Sequence, residues 1–447
     1  MYEGPLSPVV ELPSADDSAT AAALNEPAYH CPGEHYSISR AIHLARLASF
    51  YDKCRDCPHA HDDGGLLSAA RRKQLDARPQ PRGLASLFDT TGVRGIFGRE
   101  LSTGVARQVA MAFGRQLRDA GASADEPCFL ATDGGLLTPE IVAATSEALR
   151  WSGLSIVDLG ATTAPALVAT QLQQRGAASL YIGQSRQPAH EVTLQIWGPD
   201  ARPWSVPGTL EAVRDLALTS LDRPTRRAGT AARGQIASNY LERLRNHYHA
   251  LRPLRIVLDT ACEPWRQQFS GLLETVRCEL IEYVGAKETT LLDKSLGATA
   301  DLPSSASSGL ASRRPPTLPR SLGQHVVETS SHLGIWIGDD GGALAILDEL
   351  GQPIELSQLA ATLAAASGSA THIDRTDVPE SVYLAMHAGR AGVGCCNGSR
   401  IWFADQYPPA ADPLAAVTAL LVLLSQSDRR LSEVLEANSS TENSSTR

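Results

Sequence analysis

From residue 84 onward the chain alternates short apolar runs with longer stretches of helical periodicity, and this rhythm restricts the folds open to it. Residues 105–121 carry apolar side chains at 105, 109, 112, 113 and 117, a helical stripe closed by Gly121. The run 127–133 (PCFLATD) is short and apolar, as a strand covered on both faces should be. A second helix is expected over 139–153, opening on Pro139 and closing on Gly153. A strand over 154–160, a helix over 164–176 and a strand over 178–184 follow. Strand and helix in this order predict a parallel sheet covered by helices. The pattern restarts with a helix at 236–251, a strand at 255–261, a helix at 264–277 and a strand at 278–284. Segments 333–337 and 343–348 read as strands joined by a Gly/Asp turn. Between the two series, 302–322 is dense in Ser, Pro and Arg and reads as a long loop or disordered insertion.

A chain of 447 residues exceeds one ordinary core and suits two to four domains. Its net charge of −9 offers no basic surface for nucleic acid or an anionic membrane. No run of eighteen apolar residues exists, which argues against a membrane-spanning helix. The acidic N-terminal residues lack a basic segment followed by an apolar one, so no secretory signal is expected. Eight cysteines without such a signal point to a reducing cytoplasm and free thiols.

Motifs add what periodicity cannot. Residues 87–114 (LFDTTGVRGIFGRELSTGVARQVAMAFG) contain a Thr-Gly-x-Arg-Gly core at Thr91, Gly92, Arg94 and Gly95. Downstream stand 155–204 (including ASLYIGQSRQP and LQIWGPDARPW), RIVLDTACEP, LGIWIGDDGGALAILDELGQPI and GVGCCNGSRIWF, closed by 411–436. In order and wording these segments resemble the α-D-phosphohexomutases over roughly 84–436. The resemblance implies tandem three-layer α/β/α domains at 84–207, 208–338 and 339–436, preceded by a Cys/His-rich arm and linker (30–83). Tails at 1–29 and 437–447 read as disordered. The family's fourth domain, with its phosphate-binding loop, finds no counterpart in the sequence.

Phosphohexomutases hold a phosphate on a serine, pass it to the sugar and recover another. This chemistry needs an activated hydroxyl, a Mg²⁺, proton-transfer groups and a grip on each end of the substrate. The resemblance places Ser185 at the phosphoserine, but the family's Ser-His-Asn-Pro reads Ser185, Arg186, Gln187, Pro188, and an expected Lys is Gln195. The three metal-loop aspartates fall on Gly338, Asp340 and Gly342, so Mg²⁺ would be left with Asp340, the neighbouring Asp339 and Ser185. A Gly/Asp hairpin turn is the alternative role for these residues. The sugar-binding loop has lost its Glu and offers Asn397, Ser399 and Arg400 to a hexose phosphate. The loop 131–135 keeps only Asp133 among its expected polar residues. Arg94 is expected to support the Ser185 loop, or else to form a surface ion pair. Losing one catalytic group typically costs a factor of ~10²–10⁴, so several losses together leave no useful mutase rate. Two readings follow: a divergent mutase acting on hexose phosphates, or a non-catalytic homologue that binds a sugar phosphate or a protein partner.

The arm lies outside the resemblance. Cys54 and Cys57 form a C-x₂-C pair, with Cys31 upstream and His59 just beyond. A helix over 37–51 would be ~22 Å long, and the residues from Cys31 to Ser37 could span ~20 Å back along it. Cys31, Cys54, Cys57 and His59 are therefore a candidate tetrahedral Zn²⁺ set, with an iron–sulfur site or free thiols as alternatives.

Overall fold

The computed structural model describes residues 29–30, 36–48, 54, 57–65, 82–122, 126–185, 190–219, 225–283, 320–338, 340–374, 378–389, 391–396, 399–404 and 408–436. The chain divides into two compact units, one containing the N-terminal arm and one containing the body from Pro81 onward. In the arm, α1 (Arg40–Ala48) starts later than the helix expected over 37–51, whose last residues, 49–51, lie outside the described residues. Tyr29 pairs with Ile38 through two backbone hydrogen bonds of 2.9 Å, and its ring stacks on buried His43 at 4.1 Å.

The body opens with a mixed seven-stranded sheet. Its elements are β1 (Phe88–Asp89), β2 (Gly92–Ile96), α2 (Thr103–Asp119), β3 (Cys128–Thr132), α3 (Thr138–Trp151), β4 (Ile156–Ala161), α4 (Ala164–Gln174), β5 (Ala178–Ser185), β6 (Glu191–Trp197), α5 (Leu210–Ala217) and β7 (Ala231–Arg233). The strand order is β1-β2-β6-β5-β3-β4-β7. The purely parallel sheet expected from the rhythm is thereby corrected. β5, β3, β4 and β7 run parallel, but β6 folds back antiparallel on β5, and β2 pairs antiparallel with β6. Two-residue alternation divides the strands between two cores. Leu130, Leu180, Ile182 and Ile196 enter one, while Phe129, Ala131, Tyr181 and Trp197 enter the other. A sheet clothed on both faces in this way is the middle of three layers.

A second, four-stranded sheet follows. It comprises α6 (Ser238–Arg245), β8 (Arg255–Thr260), α7 (Glu263–Leu273), β9 (Glu279–Glu282), α8 (Arg320–Glu328), β10 (Leu333–Ile337) and β11 (Leu344–Leu347), in the order β11-β10-β8-β9. Ile256 and Leu258 of β8 face one core and Val257 the other. Helix α6 falls short of the expected 236–251, and the predicted insertion at 302–322 lies outside the described residues up to 319. The third domain holds α9 (Leu356–Ser367), β12 (Ala370–Asp374), α10 (Pro379–Gly389), β13 (Ala391–Cys396), β14 (Arg400–Phe403) and α11 (Pro413–Ser425), with sheet order β12-β13-β14. The sheets shift two expected boundaries: β7 carries the first sheet past residue 207, and β11 carries the second past 338. One apolar cluster runs from Ile256 and Phe269 to Ile401 and Leu420, so the second and third domains share a core.

Candidate functional site

The site is built where β5 ends. β5 is buried from Ala178 to Gly183, and the strand reaches the surface only at Gln184 and Ser185. Ser185 stands opposite Glu191 in the β5–β6 register. Arg94, on β2, reaches the same end of the sheet: its Nη1 lies 3.5 Å from Glu191 Oε2, its Nη2 donates to Thr91 Oγ1 at 2.7 Å, and its Nε lies 3.4 Å from Asp89 Oδ2. Burial pushes the Glu191 carboxyl up, against the opposing pull of Arg94 and Arg82. Arg94 therefore braces the residue paired with Ser185 and the Thr91 turn, and it is buried within an ion-pair cluster. The glycine of the motif has an equally physical cause. Gly92 has φ of +139°, and a Cβ there would sit 2.1 Å from the Leu194 carbonyl oxygen, so no other residue allows β2 to reach β6.

Asp133 ties the neighbouring loop to β5. Its Oδ2 accepts from Gln184 N at 2.6 Å and its Oδ1 from Gly135 N at 2.7 Å. Burial raises its pKa, the backbone donors oppose the rise, and the nearby Asp340 charge adds to it. Tyr181 and Cys262 lie below, both buried, and burial holds the Cys262 thiol up at about 12, so it is no thiolate nucleophile.

Asp340 comes from the β10–β11 turn. Its Cα lies 3.8 Å from where a Cβ on Gly183 would be, so the turn rests on β5 two residues before Ser185. The sequence-predicted phosphoacceptor strand and metal loop thus meet in the fold. The carboxylate is already engaged: Oδ1 accepts from Gly342 N at 3.0 Å and Ala343 N at 3.3 Å, and Oδ2 accepts from Arg400 Nη2. Burial would raise its pKa, but the guanidinium of Arg400, the Gly342 amide and the charge of Arg94 lower it to about 2. Arg400, expected to face a sugar phosphate, donates to the expected metal ligand and is 5% exposed. Ser399 contributes its carbonyl to Leu344 N at 2.7 Å. Asn397 and Asp339 lie outside the described residues.

Thr91, Gln195 and Arg400 line one cavity together with Trp197, Trp204 and Trp402, and its volume is ≈ 30 Å³. That is room for about two water molecules, an order of magnitude below the ~300 Å³ of a small-ligand pocket. Neighbouring bonds hold the first and third domains together. Trp197 Nε1 donates to the Pro409 carbonyl at 3.1 Å. Glu380, 3% exposed at the start of α10, accepts from Arg202 Nη2 (2.5 Å), Thr209 Oγ1 (2.6 Å), Thr209 N (2.9 Å) and Ser205 N (3.2 Å). Sequence reading did not single out Glu380, because a lone glutamate at a helix start carries no signal of the loop it will meet.

Residues 85–216 match the family described as phosphoglucomutase/phosphomannomutase, alpha/beta/alpha domain I. Over these residues the chain carries the first domain of the phosphohexomutases. Among the relatives of the chain is the phosphoglucosamine mutase of Natranaerobius thermophilus, 24% identical over 289 residues. That match covers 63% of this chain and 59% of the relative, less than two thirds of the relative's length. The phosphoglucosamine mutase of Paracoccus denitrificans is 23% identical over 381 residues, 78% of this chain and 81% of the other. A phosphoglucomutase/phosphomannomutase family protein of Burkholderia thailandensis shares the fold, with a TM-score of 0.60 at 19% identity over 79% of each chain. So does parafusin of Paramecium, a phosphoglucomutase in its open form, with a TM-score of 0.58 at 12% identity over 81% of this chain and 75% of the other.

The arm gives a different outcome. Cys54 and Cys57 are buried in one turn, with Cys57 N 3.3 Å from the Cys54 carbonyl. His59 packs edge-on against Tyr29 at 5.2 Å. Among the described residues, no group of three or more His, Cys, Asp or Glu side chains is placed to hold a metal ion, and the expected set of Cys31, Cys54, Cys57 and His59 is only partly among them. Cys31 lies outside the described residues. No helix among those residues is long and apolar enough to cross a membrane.

Proposed function

We propose that this protein is a catalytically silent phosphohexomutase-family member, acting through its scaffold as an interaction homologue. The observation that carries the reading is the packing around Arg400. Arg400, one of the residues expected to receive the sugar, lines a cavity of only ≈ 30 Å³. Trp197, Trp204 and Trp402 fill the space, and Arg400 is turned inward onto Asp340. A hexose phosphate, the ligand class implied by the resemblance, does not fit a cavity of that size. At the reacting end Ser185 keeps its hydroxyl, but the sequence supplies neither the histidine nor the lysine that would move its proton. In the arm, Cys54 and Cys57 would supply two thiolates to a zinc site completed by Cys31, and metal analysis of the purified full chain tests that part.

Intact mass of the chain after incubation with glucose 1,6-bisphosphate and Mg²⁺, run beside a coupled assay of glucose 1-phosphate conversion, tests the main reading. The expected result is an unmodified mass and no conversion. A phosphate on Ser185, together with conversion abolished in Ser185→Ala, would restore the mutase.

A further inference from the structure

The family's Mg²⁺ can be tested against the residues present. Two of its three aspartate positions are Gly338 and Gly342, which offer no side-chain oxygen. Mg²⁺ needs a near-octahedral set of hard oxygens facing the ion. Asp340 turns its oxygens toward N–H donors instead: two backbone amides on Oδ1 and the Arg400 guanidinium on Oδ2. Among the described residues no group of three or more His, Cys, Asp or Glu side chains is placed to hold a metal ion. The described residues do not fit the ion.

The arrangement shows more than loss. A Cβ on Gly342 would lie 2.5 Å from Arg400 Nη1. An aspartate at that position would therefore have to displace the guanidinium, the movable end of a long side chain. Arg400 is held there from its own side as well: it opens β14, pairs with Cys396 in the β13–β14 register, and follows Ser399, whose carbonyl receives Leu344 N from β11. The turn and the sugar-loop strand are thus stitched by backbone and side chain at one place. A guanidinium is planar, permanently charged and suited to a carboxylate, which makes it an adequate resident cation where a divalent ion has been given up.

We propose that Arg400 is the built-in counter-ion of the former metal loop, replacing the divalent cation in charge and in space, and that the Asp340–Arg400 pair makes this junction independent of metal. The inference goes beyond catalytic silence: it says what now holds the junction of the three domains together. It also assigns Gly342 a purpose, since the glycine is the space that admits the guanidinium.

Thermal unfolding of the full chain tests the proposal, using the unmodified protein, Arg400→Met, Asp340→Asn and the double variant, each with EDTA and with millimolar MgCl₂. Each single variant should lower Tm by roughly 5–10 °C, because each removes one member of a buried ion pair. The double variant should fall no further than the worse single one, since both charges of the pair are then gone. Mg²⁺ should leave the unmodified protein's Tm where EDTA leaves it. A Mg²⁺-dependent rise in Tm that Asp340→Asn abolishes would overturn the proposal, and so would additive losses in the double variant. Should the single variants not fold, Mg²⁺ titration calorimetry on the unmodified protein decides alone, with saturable binding as the refuting result. Turnover of glucose 1-phosphate without any Mg²⁺ dependence would sink the proposed silence and leave this inference standing. A Mg²⁺-dependent Tm without turnover would do the reverse.

Discussion

Replacing Glu380 with alanine probes the junction between the first and third domains at its most concentrated point. One buried carboxylate there receives four hydrogen bonds, from Arg202, Thr209 Oγ1, Thr209 N and Ser205 N. Truncation leaves the two backbone amides without a partner in a site where Ser205 has no exposure. Each buried unsatisfied donor costs about 1–3 kcal/mol. The Arg202 side chain is 40% exposed, so water replaces part of what it loses and its share is discounted. The expected total is about 3–5 kcal/mol, the usual range for breaking a buried charged network. Because 1.4 kcal/mol is tenfold, amide exchange in the 203–212 segment should accelerate by ~10²–10³ even if global unfolding is not two-state. Glu380→Gln retains acceptors for the amides and should lose about half as much. Exchange unchanged within threefold in Glu380→Ala, with an unaltered Tm, would show that the carboxylate does not join the two domains.

Three further outcomes follow from single residues. Gly92→Ala should destabilise the first domain by about 3 kcal/mol or more in urea unfolding, because φ is +139° and the new Cβ meets the Leu194 carbonyl. Asp412, buried at the start of α11, accepts from Tyr240 Oη and Ala415 N, yet burial, only partly opposed by these donors, raises its pKa to about 6. The folded state thus keeps the proton to a higher pH than the unfolded chain, so stability is lost as pH rises from about 4 to about 6, by up to ~3 kcal/mol. Asp412→Asn keeps the cap without ionising, so its stability relative to the unmodified protein should climb across that window; a pH-invariant difference would refute this. Alkylation of Cys262 by iodoacetamide at pH 8 should require unfolding, because the thiol is buried and its pKa stands at about 12.

How much of this could be read from the sequence depends on how local each signal was. Strands such as Leu333–Ile337 appear where the apolar run placed them, because a strand buried on both faces is written in consecutive residues. The antiparallel β6 was not foreseen as such: its direction is set by the reversal after Ser185 and its pairing with β2, neither of which has a periodic signature. Motif order located Ser185 and Asp340 near one another, and the structure puts the Asp340 turn on Gly183. What the motif could not supply was the partner of Asp340. Arg400 is 60 residues away, and assigning it to a sugar followed the family pattern, whereas the pairing depends on the space left by Gly342. Glu380 was silent for the same reason: its four donors come from a loop more than 170 residues earlier.

The most direct test of the account is a crystal of the full chain grown with millimolar Mn²⁺, with anomalous scattering recorded at Asp340. The expected map shows Arg400 on the Asp340 carboxylate and no manganese peak within bonding distance, about 2.2 Å, of its oxygens. A manganese ion seated on Asp340, with Arg400 displaced, would contradict the claim that the protein carries its own cation there.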